Sequence, residues 1–223
     1  MTDPDAMIEY AAEAAPAAGR VTVRKLWPHE REAYVAHLLR LEPEARRWRF
    51  GMTMTDAALR AYAGRSFCVG GLVHACCVDG VVRATGELKG LLDFPRQHGE
   101  AAFSVEKGWR RQGIGSRLFA AVLLSARNRG MSVLDVMCHP DNLAMKALAR
   151  RHGVTLQRLY GETHGLARLD ISTPSSLMAE ALANTASAFG AILDAQTRYA
   201  RRSSIIPSGR LRLVDKDDAK TRG

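Results

Sequence analysis

The sequence predicts an α/β fold in which strands and amphipathic helices share one main domain. Hydrophobic residues make up 47% of the 223 residues and charged residues 25%, which is typical of a globular protein with a core. An Asp79-Gly80 pair separates two β-rich runs, and such a pair is the strongest short-range signal for a hairpin. Helical apolar periods then alternate with further short β-rich runs along the chain, which favours a sheet covered by helices.

The order of elements follows from hydrophobic periodicity. Alternating apolar residues predict strands, whereas apolar residues repeating at three and four predict helices. The predicted elements, in order, are a strand at 21–26, a helix at 28–41, a helical stretch at 44–64 broken near Gly51, strands at 67–78, 81–91 and 100–106, a helix from Gly115, a strand at 132–138, a helix at 142–152, strands at 154–160 and 165–170, and a helix at 174–200.

Single residues mark several of the helix boundaries. Pro28 suits the first turn of a helix, and Thr55 followed by Asp56 suits a helix N-terminus. Apolar residues repeat at spacing four from Ile114 onward, which predicts a buried helix face. Gly153 stands where a helix commonly ends in the left-handed conformation.

The two ends of the chain differ in composition from its middle. Residues 1–20 are Ala-rich and acidic and predict a loose N-terminal arm, and 21–170 form the main domain. Residues 171–200 predict an Ala-rich helical extension, and 201–223 a basic flexible tail. The extension has an apolar side, so we expect it to pack on the core or on a second copy of the chain in a homodimer.

The net charge of +9 permits three interpretations, namely binding of nucleic acid, binding of a phosphorylated ligand, or a contribution to solubility alone. An aromatic content of 6% gives little surface for stacking bases, so nucleic acid is disfavoured. The longest purely apolar run, 118–124, is too short to span a bilayer, and the N-terminus lacks a secretory pattern. The four cysteines show no CxxC spacing. We therefore expect a cytoplasmic protein without a membrane anchor, a disulfide framework or a metal.

Residues 100–118 carry the most informative pattern. A β-rich run ends near Glu106, and a basic turn then opens a helix at Gly115. Gly113 and Gly115 let the backbone approach a ligand closely, and the unpaired N–H groups of a helix N-terminus attract anions. The turn therefore predicts an anion site, with a tight structural turn as the alternative. The patterns GxxxxGK[ST] and GxGxxG are both absent, which disfavours ATP and dinucleotides.

The hexapeptide Arg110-Arg111-Gln112-Gly113-Ile114-Gly115 resembles the acetyl-CoA motif Q/R-x-x-G-x-G/A of the GNAT superfamily of N-acetyltransferases. The resemblance covers the order of elements over 21–170. It includes Asn142 followed by Gly153, although Val154 replaces the family's usual aromatic residue. It implies a GNAT fold, with a mixed, mostly antiparallel, splayed central sheet flanked by helices and, here, a C-terminal helical extension. It also implies an N-acetyltransferase with acetyl-CoA as cosubstrate.

The resemblance further implies where the cofactor binds. The pyrophosphate would lie on the backbone N–H groups of residues 111–116, and the pantetheine arm would pair with the backbone of 103–105. Asn142 would meet the cofactor near its thioester, and Lys146 or Arg150 would reach the adenosine phosphates. The implied cofactor-binding residues are Phe103, Val105, Arg110, Arg111, Gln112, Gly113, Ile114, Gly115, Ser116, Asn142 and Lys146.

Acetyl transfer requires a neutral amine, although a lysine-like amine has a pKa near 10.4. A carboxylate can remove the proton directly or through water as the amine attacks. The resemblance implies Glu100, at the start of its strand, as this general base, with Glu87 on the preceding strand as the second candidate. A solvated strand-end carboxylate is the structural alternative for each. The N–H of Val105 is the expected donor to the oxyanion.

The family's usual general acid is a Tyr seven residues after the Asn, where this sequence has Ala149. Tyr160, Cys138 and His139 are weaker candidates for that part. The missing acid motivates an alternative function, an acyl-CoA-binding regulatory sensor without significant catalysis. For an enzyme, the acceptor would be a small amine or a protein lysine. The basic–aromatic cluster at 46–50 lies near the expected acceptor cleft, or forms a solvated helix face with its aromatic side chains in the core.

Overall fold

The computed structural model describes residues 20–68, 71–91, 98–159 and 162–205. The predicted N-terminal arm up to residue 19, Tyr160 and the tail beyond residue 205 lie outside the described residues. Within them the chain forms strands β1 Val21–Lys25, β2 Gly71–Val78, β3 Val81–Leu91, β4 His98–Val105, β5 Val133–Cys138, β6 Thr155–Leu159 and β7 Glu162–Arg168, with helices α1 Arg31–Arg40, α2 Pro43–Phe50, α3 Asp56–Arg65, α4 Ile114–Asn128, α5 Leu143–Arg151 and α6 Pro174–Ile205.

The predicted order of strands and helices is confirmed, with shifted ends. The strand predicted from residue 67 begins only at Gly71, because the chain first turns: the N–H of Cys68 donates to the carbonyl of Arg65 at 3.1 Å. The hairpin between β2 and β3 turns at Asp79 and Gly80, whose φ angles of 49° and 77° are those of a type I′ turn. Thr55 caps α3 by accepting from the N–H of Ala58 at 3.2 Å.

The strands form one seven-stranded sheet in the order β1-β2-β3-β4-β5-β7-β6. Among the strands that the structure describes, only the β4–β5 pair is parallel, so the predicted mixed, mostly antiparallel sheet is confirmed. Strand β4 pairs with β5 only from His98 to Ala101. Residues 102–105 of β4 therefore have no partner strand on that side within the described ranges, and the sheet splays open between β4 and β5.

Helices cover the sheet on both faces. Phe119 and Val122 of α4 are fully buried against Leu134 and Val136 of β5, on the face that α5 also covers. Helices α1 and α3 cover the opposite face of β2 and β3, where Tyr34 is completely buried. Each such large apolar side chain contributes about 1.5–3 kcal/mol through burial. Two packed layers thus fix β4, whose free half runs along the splayed gap.

The C-terminal helix packs on the core, but through small and polar residues such as Ser187, Ala191 and Asp194 and not through its apolar side, which is exposed. The predicted packing of the apolar side on the core is therefore wrong, and packing on a second copy stays a prediction. Arg24 of β1 donates to Asp194 of α6 at 2.9 Å and to Glu30 at 2.7 Å, and all three side chains are buried. On the opposite side, Leu182 and Phe189 are 65% and 66% exposed. Among the described residues, α6 is the one helix long and apolar enough to cross a membrane, on length and composition alone.

Candidate active site

The free half of β4 presents its main chain to the splayed gap. The N–H of Glu106, just after β4, donates to the carbonyl of Arg83 in β3 at 3.0 Å. Main-chain groups of successive strand residues point to opposite edges, so the N–H and C=O groups of Val105 and Phe103 point away from β3 and into the gap. Arg110 supports this geometry, because its Nε donates to the Val105 carbonyl at 3.1 Å.

The turn after β4 aims further N–H groups at the same gap. Arg111 and Gly113 both have left-handed backbone, with φ of 63° and 72°. The N–H of Arg117 donates to the Gly113 carbonyl at 3.2 Å, which is the first hydrogen bond of α4. The N–H groups of residues 114–116 precede it and have no helical acceptor. Together with the positive end of the helix dipole they form an anion-binding N-terminus.

A cavity of about 610 Å³ joins the splayed gap to this turn. Its size lies within the range of small-molecule sites. It is lined by eight of the predicted cofactor residues, namely Phe103, Val105, Arg110, Arg111, Gly113, Gly115, Ser116 and Asn142. On the far side it reaches α2 through Ala45, Trp48 and Arg49. The structure thus brings together most of the residues that the sequence predicts for cofactor binding.

Three of the predicted cofactor residues do not line the cavity. The Gln112 side chain donates to the Gly108 carbonyl at 3.2 Å, and the Ile114 side chain is 2% exposed in the core. Lys146 donates its Nζ to the Pro140 carbonyl at 2.5 Å. Gln112 and Ile114 belong to the turn through their backbone, and Lys146 is occupied elsewhere.

Positive charge surrounds the cavity. Arg110 pairs with Glu42 at 2.5 Å, and Arg49 pairs with Glu87. Arg111 and Arg151 also line the cavity. Neither makes an ion pair within the part of the chain that the structure describes. Two uncompensated guanidinium groups beside a helix N-terminus favour a ligand with several negative charges.

Asn142 and Ser116 are both held by neighbours. The Asn142 side chain caps α5 by accepting from the N–H of Met145 at 3.0 Å. The Ser116 hydroxyl lies 2.9 Å from Nε2 of His152, and that ring stacks on Phe119 at 4.7 Å. These contacts fix the two walls of the cavity on either side of the gap.

Glu87 lies buried behind α2 and does not line the cavity. Its Oε2 accepts from Arg49, Tyr62 and, at 3.2 Å, Tyr34. Burial alone would raise the pKa of Glu87, but Arg49 and Lys89 outweigh it and hold the pKa below the ordinary value. The carboxylate is therefore ionised and fixed in place, and it holds Arg49 at the cavity wall.

Glu100 lies near the other end of β4, opposite Lys89 of β3 and Asp135 of β5. Its side chain is half-buried and has no hydrogen bond or ion pair within the described ranges. Ser104, the nearest cavity residue on the same face of the strand, is four residues away, about 13 Å along β4. A proton could pass from the cavity to Glu100 only through intervening water.

None of the described candidates for the general acid lines the cavity. Ala149 is completely buried in the core. Burial raises the pKa of the Cys138 thiol to about 11, so it stays protonated at neutral pH. His139 accepts from the N–H of Asp141 at 3.2 Å.

In the basic–aromatic cluster at 46–50, Arg49 is buried rather than solvated, with 6% of its side chain exposed.

Sequence reasoning missed one polar cluster, which joins α1 to β4. Nε2 of His37 lies 2.9 Å from the Ser104 hydroxyl, and Nδ1 lies 3.0 Å from the Glu106 carboxylate. His37 is completely buried, whereas Ser104 also lines the cavity. Period-two spacing does place Ser104 and Glu106 on one face of the strand, but no sequence signal brings His37 against them.

From the environment of Glu106 we predict that the free energy of unfolding depends on pH in the acid range. Burial would raise its pKa, but hydrogen bonds from His37 and Arg40 outweigh burial and lower the pKa from 4.5 to about 2. The stabilisation by this carboxylate is full above pH 4.5 and is lost as the pH falls toward 2, because the folded state holds the proton less tightly. We expect Glu106→Gln to lower the free energy of unfolding in urea at pH 7, and the difference from the parent to shrink below pH 4.5. The control is Glu32→Gln, at an exposed position. A difference between Glu106→Gln and the parent that does not depend on pH would contradict this prediction.

The splayed seven-stranded sheet and the glycine turn beside its gap define a GNAT-like α/β protein with a cavity at a helix N-terminus. The sequence profile of the acetyltransferase (GNAT) family matches residues 35–154. The chain belongs to this family, and membership supports acetyl transfer as its general class of activity. No curated protein matches the chain by sequence.

Solved GNAT structures share the fold at low sequence identity. The GNAT domain of S. lividans PAT is 20% identical, with a TM-score of 0.59 over 70% of this chain and 100% of that one. Salmonella typhimurium yncA, solved with its cofactor acetyl-CoA, is 19% identical, with a TM-score of 0.53 over 69% and 96%. The paia N-acetyltransferase from Thermoplasma acidophilum, in complex with coenzyme A, is 12% identical, with a TM-score of 0.51 over 67% and 99%.

Proposed function

We propose that the protein is an N-acetyltransferase that transfers an acetyl group from acetyl-CoA to a primary amine. The cavity carries this proposal, because it connects a free strand edge, a helix N-terminus and two uncompensated arginines in one continuous space. A long ligand with an amide-bearing arm and a polyanionic end matches those three features. Acetyl-CoA is such a ligand, and two of the similar structures hold acetyl-CoA or coenzyme A.

In this proposal the pyrophosphate lies on the N–H groups of residues 111–116, with Arg111 and Arg151 beside it. The pantetheine arm lies along the free edge of β4 at Phe103 and Val105, like an added strand. Lys146 reaches the adenosine phosphates by leaving the Pro140 carbonyl. The binding groups are largely main-chain, so the backbone conformation at Gly113 matters more than most side chains.

In this proposal the acetyl carbonyl lies beside the N–H of Val105. That N–H donates to the oxyanion and stabilises it as the tetrahedral intermediate forms. The amine attacks the carbonyl carbon, the C–S bond breaks, and the thiolate leaves. A thiol pKa near 8.5 makes the thiolate a fair leaving group, so it can take its proton from water. This route needs no dedicated acid at Ala149.

We assign the general base to Glu100, acting through water, with Glu87 as the second candidate. The half-buried Glu100 can take up a proton without breaking an ion pair within the described residues, whereas protonating Glu87 would break its contact with Arg49. The lowered pKa of Glu87 also makes it a weaker base. The acceptor class stays a small amine or a protein lysine.

Thiol release from acetyl-CoA in the presence of a panel of amines and lysine peptides tests both assignments. We expect Glu100→Gln to lower kcat by about 10²-fold or more, which is the usual contribution of a general base, without weakening coenzyme A binding. We expect Glu87→Gln to lower stability as well as activity, because it leaves Arg49 unpaired. Glu44→Gln on α2, outside the cavity lining, is the matched control.

Three results would contradict parts of this proposal. Full turnover by Glu100→Gln would remove that residue from the mechanism. Cofactor binding without turnover on any acceptor would indicate the regulatory sensor instead. No binding of acetyl-CoA would overturn the function altogether.

A further inference from the structure

Ser104, His37 and Glu106 lie in the order hydroxyl, imidazole, carboxylate. The Ser104 Oγ is 2.9 Å from His37 Nε2, and His37 Nδ1 is 3.0 Å from Glu106 Oε1. A nucleophile within hydrogen-bond reach of a base, which is itself oriented by a carboxylate, is the general arrangement of a catalytic triad. Ser104 is also the one member of the three that lines the cavity.

The protons in this cluster can be assigned from its partners. Glu106 also accepts from Arg40 at 2.9 Å and from Arg83 at 3.0 Å, so it is ionised and can only accept. His37 therefore carries its proton on Nδ1, and Nε2 is free to accept from the Ser104 hydroxyl. Thr85 Oγ1, 2.9 Å from the Ser104 Oγ, then donates to one lone pair of that oxygen. A hydroxyl has two lone pairs, so one remains for attack.

The position of Ser104 relates this cluster to the acetyl group. It stands between Phe103 and Val105, the two residues whose main chain faces the splayed gap. The proposed oxyanion donor, the N–H of Val105, belongs to the next residue along the strand. His37 is 0% exposed and does not line the cavity, so among the residues of this cluster its imidazole is linked to the cavity by its contact with Ser104.

We propose that Ser104 is a nucleophile and that the protein hydrolyses acetyl-CoA through an acetyl ester on Ser104 when no amine is bound. This inference rests on the proposed binding of acetyl-CoA in the cavity. It adds a second activity, thioester hydrolysis, to direct transfer to an amine. Water is then the final acceptor of the acetyl group, and the reaction has two steps.

In the first step Ser104 Oγ bonds to the acetyl carbonyl carbon and its proton passes to His37 Nε2. The C–S bond breaks, and the thiolate takes that proton from His37 Nε2, which leaves free coenzyme A, the acetyl ester and a neutral imidazole. In the second step water attacks the ester carbonyl and gives its proton to His37 Nε2. The ester C–O bond breaks, the Ser104 oxygen takes that proton back from His37 Nε2, and acetic acid leaves and ionises to acetate. No oxidant, reductant or further reactant is needed.

The experiment is incubation of the purified protein with acetyl-CoA and no amine. Thiol release is followed, and the peptide containing Ser104 is analysed by mass spectrometry after acid quenching. The variants are Ser104→Ala, Ser104→Cys and His37→Gln. Ser187→Ala is the matched control, because Ser187 is a buried, hydrogen-bonded serine on α6, outside the cavity lining.

We expect the parent and Ser187→Ala to release thiol without amine and to carry one acetyl group on that peptide. We expect Ser104→Ala and His37→Gln to lose about tenfold or more of the release rate. Ser104→Cys keeps a nucleophile and should still gain the acetyl group. Coenzyme A affinity, measured by calorimetry, should stay within about twofold of the parent in folded variants, since none of them removes a main-chain binding group.

Thiol release by Ser104→Ala at the parent rate would overturn the proposal. So would the lack of an acetylated peptide in both the parent and Ser104→Cys while amines are still acetylated, a result that leaves the proposed function standing. Slower amine acetylation in Ser104→Ala and His37→Gln without any acetyl ester would make the hydroxyl a proton relay and overturn the covalent step. Failure of the parent to bind coenzyme A would remove the proposed function first, and this inference with it.

Discussion

Replacing Gly113 by Asp is expected to weaken acetyl-CoA binding by about a hundredfold or more. The position has space for a side chain, since a Cβ there would meet nothing within 4 Å, so the effect is electrostatic and conformational. The introduced carboxylate would sit beside the N–H groups of residues 114–116 and compete with the pyrophosphate. Repulsion between two charges about 4 Å apart at a protein surface is worth about 4 kcal/mol, and 1.4 kcal/mol is tenfold in affinity. Calorimetric titration with acetyl-CoA measures the loss.

Two controls separate charge from backbone strain. Gly113→Ala adds a Cβ at a φ of +72° without charge, which costs about 1–2 kcal/mol of stability. Gly51→Asp adds the same charge at a φ of +70°, also with nothing within 4 Å, at the end of α2 and outside the cavity lining. Equal losses of affinity in Gly51→Asp and Gly113→Asp would mean that the cofactor does not lie on the α4 N-terminus.

Replacing Arg24 by Met is expected to cost about 3–5 kcal/mol in the free energy of unfolding. Glu30 and Asp194 both pair with this guanidinium, and their side chains are 2% and 1% exposed. Removing one partner of a buried ion pair leaves an uncompensated charge without solvent, which is among the largest single-residue effects on stability. Asp194 keeps its contact with Arg20 at 2.8 Å, so α6 would be weakened on β1 rather than released outright. Urea unfolding at pH 7 measures the change.

The matched control for this prediction is Arg31→Met. Arg31 pairs with Glu32 at 3.3 Å, but the two side chains are 53% and 71% exposed. Exposed pairs of this kind contribute between about 0 and 1 kcal/mol. Similar losses in the two variants would show that the contact between β1 and α6 is not a buried electrostatic anchor.

Local features of the fold were predictable because a few neighbouring residues determine them. The hairpin at Asp79-Gly80 needs two left-handed residues in sequence, and Gly153 has the left-handed φ of 73° expected after α5. The strand–turn–helix at 100–118 is equally local. This segment alone predicts that Gly113, Gly115 and the main chain of β4 lie at one ligand site, and no distant contact is needed for that prediction.

Long-range polar contacts were not predictable from the sequence. The Ser104–His37 pair is separated by 67 residues and the Arg24–Asp194 pair by 170, and neither partner carries a motif that names the other. The different surroundings of Glu87 and Glu100 also depend on long-range packing. Both face the same side of the sheet by strand alternation, but only packing decides that Arg49 and two tyrosines pair with Glu87 while Glu100 stays half-buried.

A crystal structure of the protein with acetyl-CoA tests the central claim most directly. The account predicts the pyrophosphate within hydrogen-bond distance of the N–H groups of residues 114–116, and the pantetheine arm along the free edge of β4 at Phe103 and Val105. The acetyl carbonyl should point at the N–H of Val105, beside the Ser104 hydroxyl. A cofactor bound elsewhere, with the gap between β4 and β5 empty, would contradict the assignment of this cavity and of the acetyl transfer derived from it.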